Sequence, residues 1–202
     1  MKRNYIILGA IVTLLVVGGV VLTRDRSAKP IGGSGLPEYE GDFINNIGND
    51  SFLEQLTSDQ LKQKKEKLKE LEKTLQNDPN DREAWLEVGI IKKFFNNHQG
   101  AADAWEYGKN TIPILSTFYY NLGGLYGYEL QMPEKAEENY LKAIEIDPTL
   151  EYLYTGLAEF YAVSNPSRGK DAITVIKEGL KSILESESLT YLLEYYEREF
   201  GE

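Results

Sequence analysis

The sequence predicts an all-α fold in which antiparallel helix hairpins stack into an α-solenoid, preceded by an N-terminal transmembrane helix. Residues 5–22 are apolar and uncharged. Between residues 82 and 184, a pattern of small, large and small residues recurs every 34–36 residues. Each period holds two helical patterns, and a repeat of this length is typical of a helix–turn–helix solenoid.

The apolar stretch at residues 5–22 predicts a membrane anchor. Its 18 residues would form a helix roughly 27 Å long, close to the hydrocarbon thickness of a bilayer. A cleaved signal peptide is the alternative, but the stretch is longer than a usual signal core and no small-x-small cleavage site follows it. We therefore expect residues 1–26 to be a retained single-pass anchor.

The orientation of this anchor depends on its basic flanks. Lys and Arg counts on the two sides do not decide it by the positive-inside rule. A short N-terminal tail with two basic groups is typical of insertion with the N-terminus inside. We therefore expect the C-terminal domain to lie outside the cytoplasm.

Composition argues against several classes of function. The chain has no Cys, which excludes disulfides and thiolate sites. The first 29 residues hold five basic and one acidic side chains, so residues 30–202 carry a net charge of −14. Such a surface repels phosphate backbones, and we expect no nucleic-acid partner. The single histidine, His98, is expected in a turn, and no motif has the spacing of a catalytic, cofactor or metal site. We expect neither metal nor cofactor, and no enzymatic activity.

Residues 27–52 predict a flexible linker between the anchor and a repeat domain at residues 53–202. The segment is dense in Gly, Pro, Ser and Asn and has no sustained apolar period. A random coil of about 30 residues spans roughly 30 Å, so the domain would lie about one diameter from the membrane. Within the linker, a short docking motif is the alternative interpretation of Phe43, Ile44 and Ile47.

A leading helix is predicted over residues 57–79. Thr57 and Gln60 have the spacing of a capping box, and Pro79 marks the end. Four leucines form one stripe among Lys and Glu residues: Leu61, Leu68, Leu71 and Leu75. We expect this helix to be the outer half of an incomplete repeat.

Three complete hairpins are predicted at residues 82–115, 116–150 and 151–184. In each first helix, an aromatic residue precedes an aliphatic and then a small residue; the aromatic residues are Trp85, Tyr119 and Tyr154. In each second helix, an Ala precedes a bulky and then a small residue; these are Ala101, Ala136 and Ala172. Small residues let antiparallel helices approach closely, and Pro113 and Pro148 end the second helices of the first two hairpins.

This pattern resembles that of tetratricopeptide repeat proteins over about residues 82–184. The third repeat departs from the family by a longer turn at residues 163–171 and by Leu184 at the position of the family's Pro. A terminal helix at residues 187–200 is expected to cap the array. Its apolar face consists of Leu189, Leu192, Leu193, Tyr196 and Phe200.

The resemblance implies that the first helices line a concave groove that binds a peptide or a partner helix. The predicted lining is Leu86, Ile90, Phe94, Tyr120, Asn121, Gly124, Gly127, Tyr128, Tyr152, Thr155, Gly156 and Glu159. Some family members hold a C-terminal carboxylate with Lys, Arg and Asn, but here only Asn121 matches that clamp. We expect an apolar or basic segment, or a partner helix, instead.

Two glycines suggest a pocket within this groove. Helix crossing requires Gly123, whereas Gly124 and Gly127 have no such role in the pattern. Each costs about 1 kcal/mol relative to Ala in a helix. One hypothesis is that they floor a ligand pocket with walls formed by Tyr120, Tyr128 and Tyr152; the alternative is sequence drift in a stable domain.

The sequence therefore predicts a membrane-tethered scaffold for protein–protein interaction. By analogy of fold, it would assist an assembly or secretion complex of a bacterial envelope. A different class of function is an architectural protein that self-associates through its terminal helix and has no peptide ligand. An enzyme, or a lipid- or glycan-binding accessory to one, is supported only by unpaired carboxylates.

Overall fold

The computed structural model describes residues 38–42, 46–48, 53–54, 56–164 and 166–201. These residues form eight α-helices and no strand, which confirms the all-α prediction for this part of the chain. The helices are α1 (Ser58–Asn77), α2 (Arg82–Phe94), α3 (His98–Thr111), α4 (Ser116–Gly124), α5 (Pro133–Ile146), α6 (Glu151–Ser164), α7 (Gly169–Ser182) and α8 (Glu187–Phe200). A π-helical turn, Leu125–Glu129, follows α4 directly, and a 3-10 turn, Pro166–Arg168, precedes α7.

The predicted anchor at residues 5–22 lies outside the described residues. Within the described ranges, none of the helices combines the length and the apolar character that a membrane crossing requires.

Each helix packs against the next one in the chain. The most extensive contacts pair α2 with α3, α4 with α5, and α6 with α7. Helices one hairpin apart also touch, since α4 contacts α6 and α6 contacts α8. This succession of hairpins is compatible with an α-solenoid.

Local signals in the sequence set the helix ends. Thr57 and Gln60 form the predicted capping box of α1, and the Asp81 side chain accepts from the Ala84 amide at 2.9 Å to cap α2. His98, predicted in a turn, is instead the first residue of α3. Three of the helix–helix turns contain a residue with positive φ: Asn96, Gln131 and Glu185.

Small residues lie where the helices of a hairpin cross, as the repeat pattern predicts. A Cβ atom at Gly123 would come within 2.8 Å of the Tyr140 ring, and one at Gly179 within 2.8 Å of the Tyr154 ring. Two of the aromatic residues of the first helices also hydrogen-bond to the preceding turn. Trp85 Nε1 donates to the Pro79 carbonyl at 2.8 Å, and the Tyr154 hydroxyl to the Pro148 carbonyl at 3.0 Å.

Residues 38–42 and 46–48, which we call the N-terminal strap, pack against α2 and α3. Tyr39 is 5% exposed, with its ring 4.8 Å from the Trp85 ring and 5.4 Å from the Tyr107 ring. Ile47 is 1% exposed. The flexible-linker prediction therefore does not describe the strap, because its apolar side chains are buried in the domain. Phe43 and Ile44 lie outside the described residues.

A buried lysine on α2 fastens the strap by hydrogen bonds. The Lys92 ammonium donates to the Asp42 carbonyl and, at 2.6 Å, to the Asn46 carbonyl. Asn97 Nδ2 donates to the same Asn46 carbonyl at 2.7 Å. Burial lowers the pKa of Lys92 to about 8, although the nearby Asp42 carboxylate opposes this shift.

Candidate functional site

The predicted groove residues fall on two parts of the structure. Those on α2 are the half-buried Leu86 and the exposed Ile90 and Phe94. The others lie on α4, the π-helical turn and α6. Of these, Tyr128, Tyr152 and Glu159 are exposed, Tyr120, Asn121, Gly124, Gly127 and Thr155 are half-buried, and Gly156 is buried.

The second group is joined by direct contacts between aromatic rings. Tyr120 meets Tyr152 edge-to-face at 4.9 Å between centroids, and it meets Tyr140 at 5.7 Å. Phe160 lies 5.8 Å from Tyr140 and 6.3 Å from Tyr128. We call these five residues the tyrosine cluster. Their rings form a continuous series of contacts across α4, the π-helical turn, α5 and α6, and three of the four contacts are edge-to-face.

The π-helical turn places Tyr128 in this cluster. The Leu130 amide donates to the Leu125 carbonyl at 3.0 Å, a bond that spans five residues instead of four. Such turns are rare and are frequent at functional sites. The sequence analysis did not predict this one; the only signal for it is the low helix propensity of the Gly-rich stretch in which it forms.

Two glycines make room for rings of the cluster. A Cβ atom at Gly156 would lie 2.6 Å from the Tyr120 ring, and one at Gly127 would lie 2.8 Å from the Phe160 ring. The prediction that packing does not require Gly127 is therefore wrong, because Phe160 occupies the space beside it. At Gly124 the added atom would meet only the Tyr140 hydroxyl, at 3.3 Å. Of the two predicted floor residues, Gly124 is the less restricted, since an added Cβ atom requires only a small shift of the Tyr140 hydroxyl.

Glu159 is the carboxylate whose charge acts on the hydroxyls of Tyr120 and Tyr128 in the cluster. Burial and, second, the charge of Glu159 raise the pKa of the Tyr128 hydroxyl to about 12. The same two causes raise the pKa of Tyr120 and of Tyr196 on α8. The charge of one exposed carboxylate thus raises the pKa of tyrosine hydroxyls on three elements of the fold: α4, the π-helical turn and α8.

Three residues of this site were not predicted from the sequence. Tyr140 and Phe160 were not among the predicted groove residues, although Tyr140 was recognised as the bulky residue of its second helix. Tyr196 was assigned only to the face of the terminal helix. Their roles depend on which rings meet in three dimensions, and the repeat phase alone does not give that.

Two cations on α7 and α8 pair with carboxylates of α8. Lys177 binds Glu197 at 2.8 Å, and Arg198 lies 3.2 Å from Glu199. None of the ion pairs among the described residues includes Glu159. The carboxylate therefore faces solvent beside the aromatic surface.

A separate cleft of about 480 Å³ lies between α5, α6 and α7. Apolar side chains line its middle, among them Leu141, Ile144 and Val175, and Arg168 lies at its edge. A second cleft of about 470 Å³ lies beside Lys109 and Tyr119. Neither cleft includes a predicted groove residue. The exposed part of the tyrosine cluster, formed by Tyr128 and Tyr152, lies outside both clefts.

Comparison with protein-family models and with curated proteins gives no match for this chain.

Proposed function

We propose that the chain is a membrane-tethered tetratricopeptide repeat protein that acts as a scaffold for protein–protein interaction. In this proposal the first helices α2, α4 and α6 line a concave groove, and a peptide or a partner helix binds there. The consecutive packing of three hairpins, with small residues at the crossings, supports the repeat assignment. The anchor at residues 5–22 and an extracytoplasmic repeat domain belong to the same proposal.

The observation that carries the proposed function is the exposed aromatic surface of the tyrosine cluster. Tyr128 is 41% exposed and Tyr152 is 39% exposed, while the rings behind them, Tyr140 and Phe160, are buried. Tyrosine is enriched at binding hot spots because it offers a large apolar face with a polar end. Buried rings hold this surface rigid, which lowers the entropy lost on binding.

Site-specific photo-crosslinking of the intact membrane protein tests the proposal. A photoreactive phenylalanine analogue replaces Tyr152 in one variant and Tyr191 in the control. Tyr191 lies on α8 and is 69% exposed, so it is the more accessible position. We expect a defined cross-linked protein at position 152 that is absent at position 191. Equal products at both positions, or a product only at 191, would argue against the groove.

A second candidate function is self-association through α8, so that the protein is an architectural homo-oligomer. Its support is the exposed aromatic pair on that helix, Tyr191 and Tyr195. Light scattering of the full chain in detergent over a hundred-fold concentration range tests it. A larger particle at high concentration that Tyr191→Ala abolishes would favour this alternative.

A further inference from the structure

We infer that the tyrosine cluster and Glu159 together form a receptor for a lysine or arginine side chain of the partner. This inference rests on the proposed function, because it names the chemistry of the segment that the groove binds. The occupant is a segment of another protein in which a basic residue adjoins an apolar one.

The positions of the residues place the carboxylate at the aromatic surface. Tyr152, Thr155 and Glu159 are three and four residues apart on α6 and therefore share one face of that helix. Tyr120 adjoins this face, since its ring meets Tyr152 at 4.9 Å. Tyr128 adjoins the same end of α6, since its ring lies 6.3 Å from that of Phe160, the residue next to Glu159. A basic side chain that pairs with Glu159 would therefore bind on the part of α6 that these tyrosines flank, and the faces of tyrosine rings attract cations.

At the cleft between α5, α6 and α7, the chain pairs a carboxylate and a tyrosine with one of its own basic side chains. The Tyr161 hydroxyl donates to Glu137 at 2.7 Å. Arg168 donates to the same carboxylate at 2.7 and 2.9 Å, and its guanidinium lies 4.1 Å from the centroid of the Tyr161 ring. One carboxylate and one tyrosine thus hold a basic side chain between them.

A second site on the molecule repeats this combination. The Tyr126 hydroxyl donates to Glu106 at 3.1 Å, and the Lys109 ammonium pairs with Glu106 at 2.6 Å. Lys109 also lies 5.4 Å from the centroid of the Tyr119 ring. In both cases the acid next to tyrosine is neutralised by a cation from the chain itself.

Glu159 differs from these two acids. After burial, its charge is the next cause of the raised pKa of Tyr120, Tyr128 and Tyr196, yet it takes part in none of the ion pairs among the described residues. The negative charge of residues 30–202 also favours approach of a basic partner. Charge and aromatic surface therefore specify the same occupant, a cationic side chain that the partner supplies.

Peptide selection against the full chain tests the inference. The protein is held in phosphatidylcholine nanodiscs, whose lipid has no net charge, and empty nanodiscs remove peptides that bind lipid. A random heptapeptide library is selected for binding, and the most enriched peptide is synthesised in two forms. The basic form keeps its Lys or Arg, and the neutral form carries norleucine in place of Lys or citrulline in place of Arg. We expect Lys or Arg next to an apolar residue in the enriched peptides. We also expect at least ten-fold weaker binding of the neutral peptide.

Matched protein variants locate the effect. Glu159→Gln should weaken binding of the basic peptide at least ten-fold and leave binding of the neutral peptide unchanged. Glu70→Gln removes the same charge from the exposed face of α1 and should change neither affinity. Tyr152→Ala should weaken both peptides, because both use the aromatic surface.

The outcomes separate this inference from the proposed function. If enriched peptides lack basic residues but still need Tyr152, the inference is overturned and the groove remains a binding surface. If no peptide depends on Tyr152, both are overturned. If changing Arg24 and Arg26 to Gln tightens peptide binding, the chain's own basic segment occupies the site, and the inference of a partner cation is overturned.

Discussion

Replacing Lys92 by Met should weaken docking of the N-terminal strap while leaving the helical array folded. Met has a similar length and fits a buried apolar site, but it has no hydrogen-bond donor. The Asp42 and Asn46 carbonyls would lose the ammonium that binds them. Asn97 still donates to the Asn46 carbonyl and Tyr39 and Ile47 stay buried, so only the bonds from the ammonium are lost, and strap docking should weaken by about 1–3 kcal/mol.

The size of the effect follows from two opposing terms. The fall in the pKa of Lys92 from 10.5 to about 8 means that burial of the charge opposes folding by roughly 3 kcal/mol. Met removes this cost, so the global stability should change by less than about 2 kcal/mol in either direction. Strap docking alone should weaken by about 1–3 kcal/mol, which raises the open population by roughly 5- to 150-fold.

Native-state hydrogen exchange separates these two quantities. The amides of Ile47 and Gly48 should exchange roughly 5- to 150-fold faster in Lys92→Met, whereas the amides of α6 keep their protection. Lys93→Met is the matched control, because Lys93 is the exposed neighbour on the same helix. Unchanged exchange at Ile47 in Lys92→Met would refute the role assigned to this lysine.

The pH dependence of stability, compared between wild type and Lys92→Met, gives an independent check. Because the pKa of Lys92 is about 8 in the folded chain and 10.5 in the unfolded chain, the unfolded state holds more protons between these values. The wild-type protein should therefore gain stability relative to Lys92→Met as pH rises from 8 to 10.5. A difference between the two proteins that stays flat across this window would contradict the shift.

Three further predictions follow from the fold. Burial raises the pKa of Tyr140 in the folded chain. The stability that Tyr140 contributes is therefore fully present below pH 10 and should fall by about 1.4 kcal/mol for each pH unit above 10. Denaturant unfolding of wild type and Tyr140→Phe at pH 9 and 11 measures this fall. Gly127→Ala should destabilise the fold by about 1–3 kcal/mol because the added methyl group meets the Phe160 ring, whereas Gly124→Ala should be neutral or stabilise it by up to about 1 kcal/mol. Thermal unfolding of the two variants checks both values, and equal losses of stability would contradict the packing described. Deleting residues 5–22 should move the protein from the membrane to the soluble fraction, and a C-terminal reporter on the full chain should be active only outside the cytoplasm.

The helical content and the crossing points could be predicted because they depend on short-range patterns. Leu68, Leu71 and Leu75 repeat at helical spacing, and the structure buries all three on α1. The glycines that follow the bulky residues of the repeat pattern, such as Gly123 and Gly179, likewise mark positions where two helices approach. Such information lies within one period of the sequence and needs no knowledge of distant contacts.

The N-terminal strap could not be predicted in this way. Ile47 belongs to the group Phe43, Ile44 and Ile47, for which a docking motif was the alternative interpretation, but the stretch has no sustained apolar period. The rings that pack on Tyr39 come from two later helices. Lys92 and Lys93 are adjacent lysines near the end of α2, yet only Lys92 is buried. Which of them binds the strap depends on the phase of the helix relative to a segment about 50 residues away.

The candidate site was predicted in part, for a similar reason. The repeat phase selected Tyr120, Tyr128 and Tyr152, which the structure joins through ring contacts. The phase did not include the π-helical turn or Tyr196, since these depend on the local backbone and on packing between hairpins. Gly127 was misjudged because its neighbour, Phe160, belongs to the next hairpin.

Fluorine NMR of the full chain in nanodiscs tests the central claim most directly, namely that the tyrosine cluster is the surface on which a partner binds. Tyrosines are replaced by 3-fluorotyrosine, single Tyr→Phe variants assign the signals, and the protein identified by cross-linking is titrated in. We expect the signals of Tyr128 and Tyr152 to shift or broaden at substoichiometric partner, while the Tyr191 signal stays fixed. A shift at Tyr191 with unchanged signals from the cluster would contradict the account.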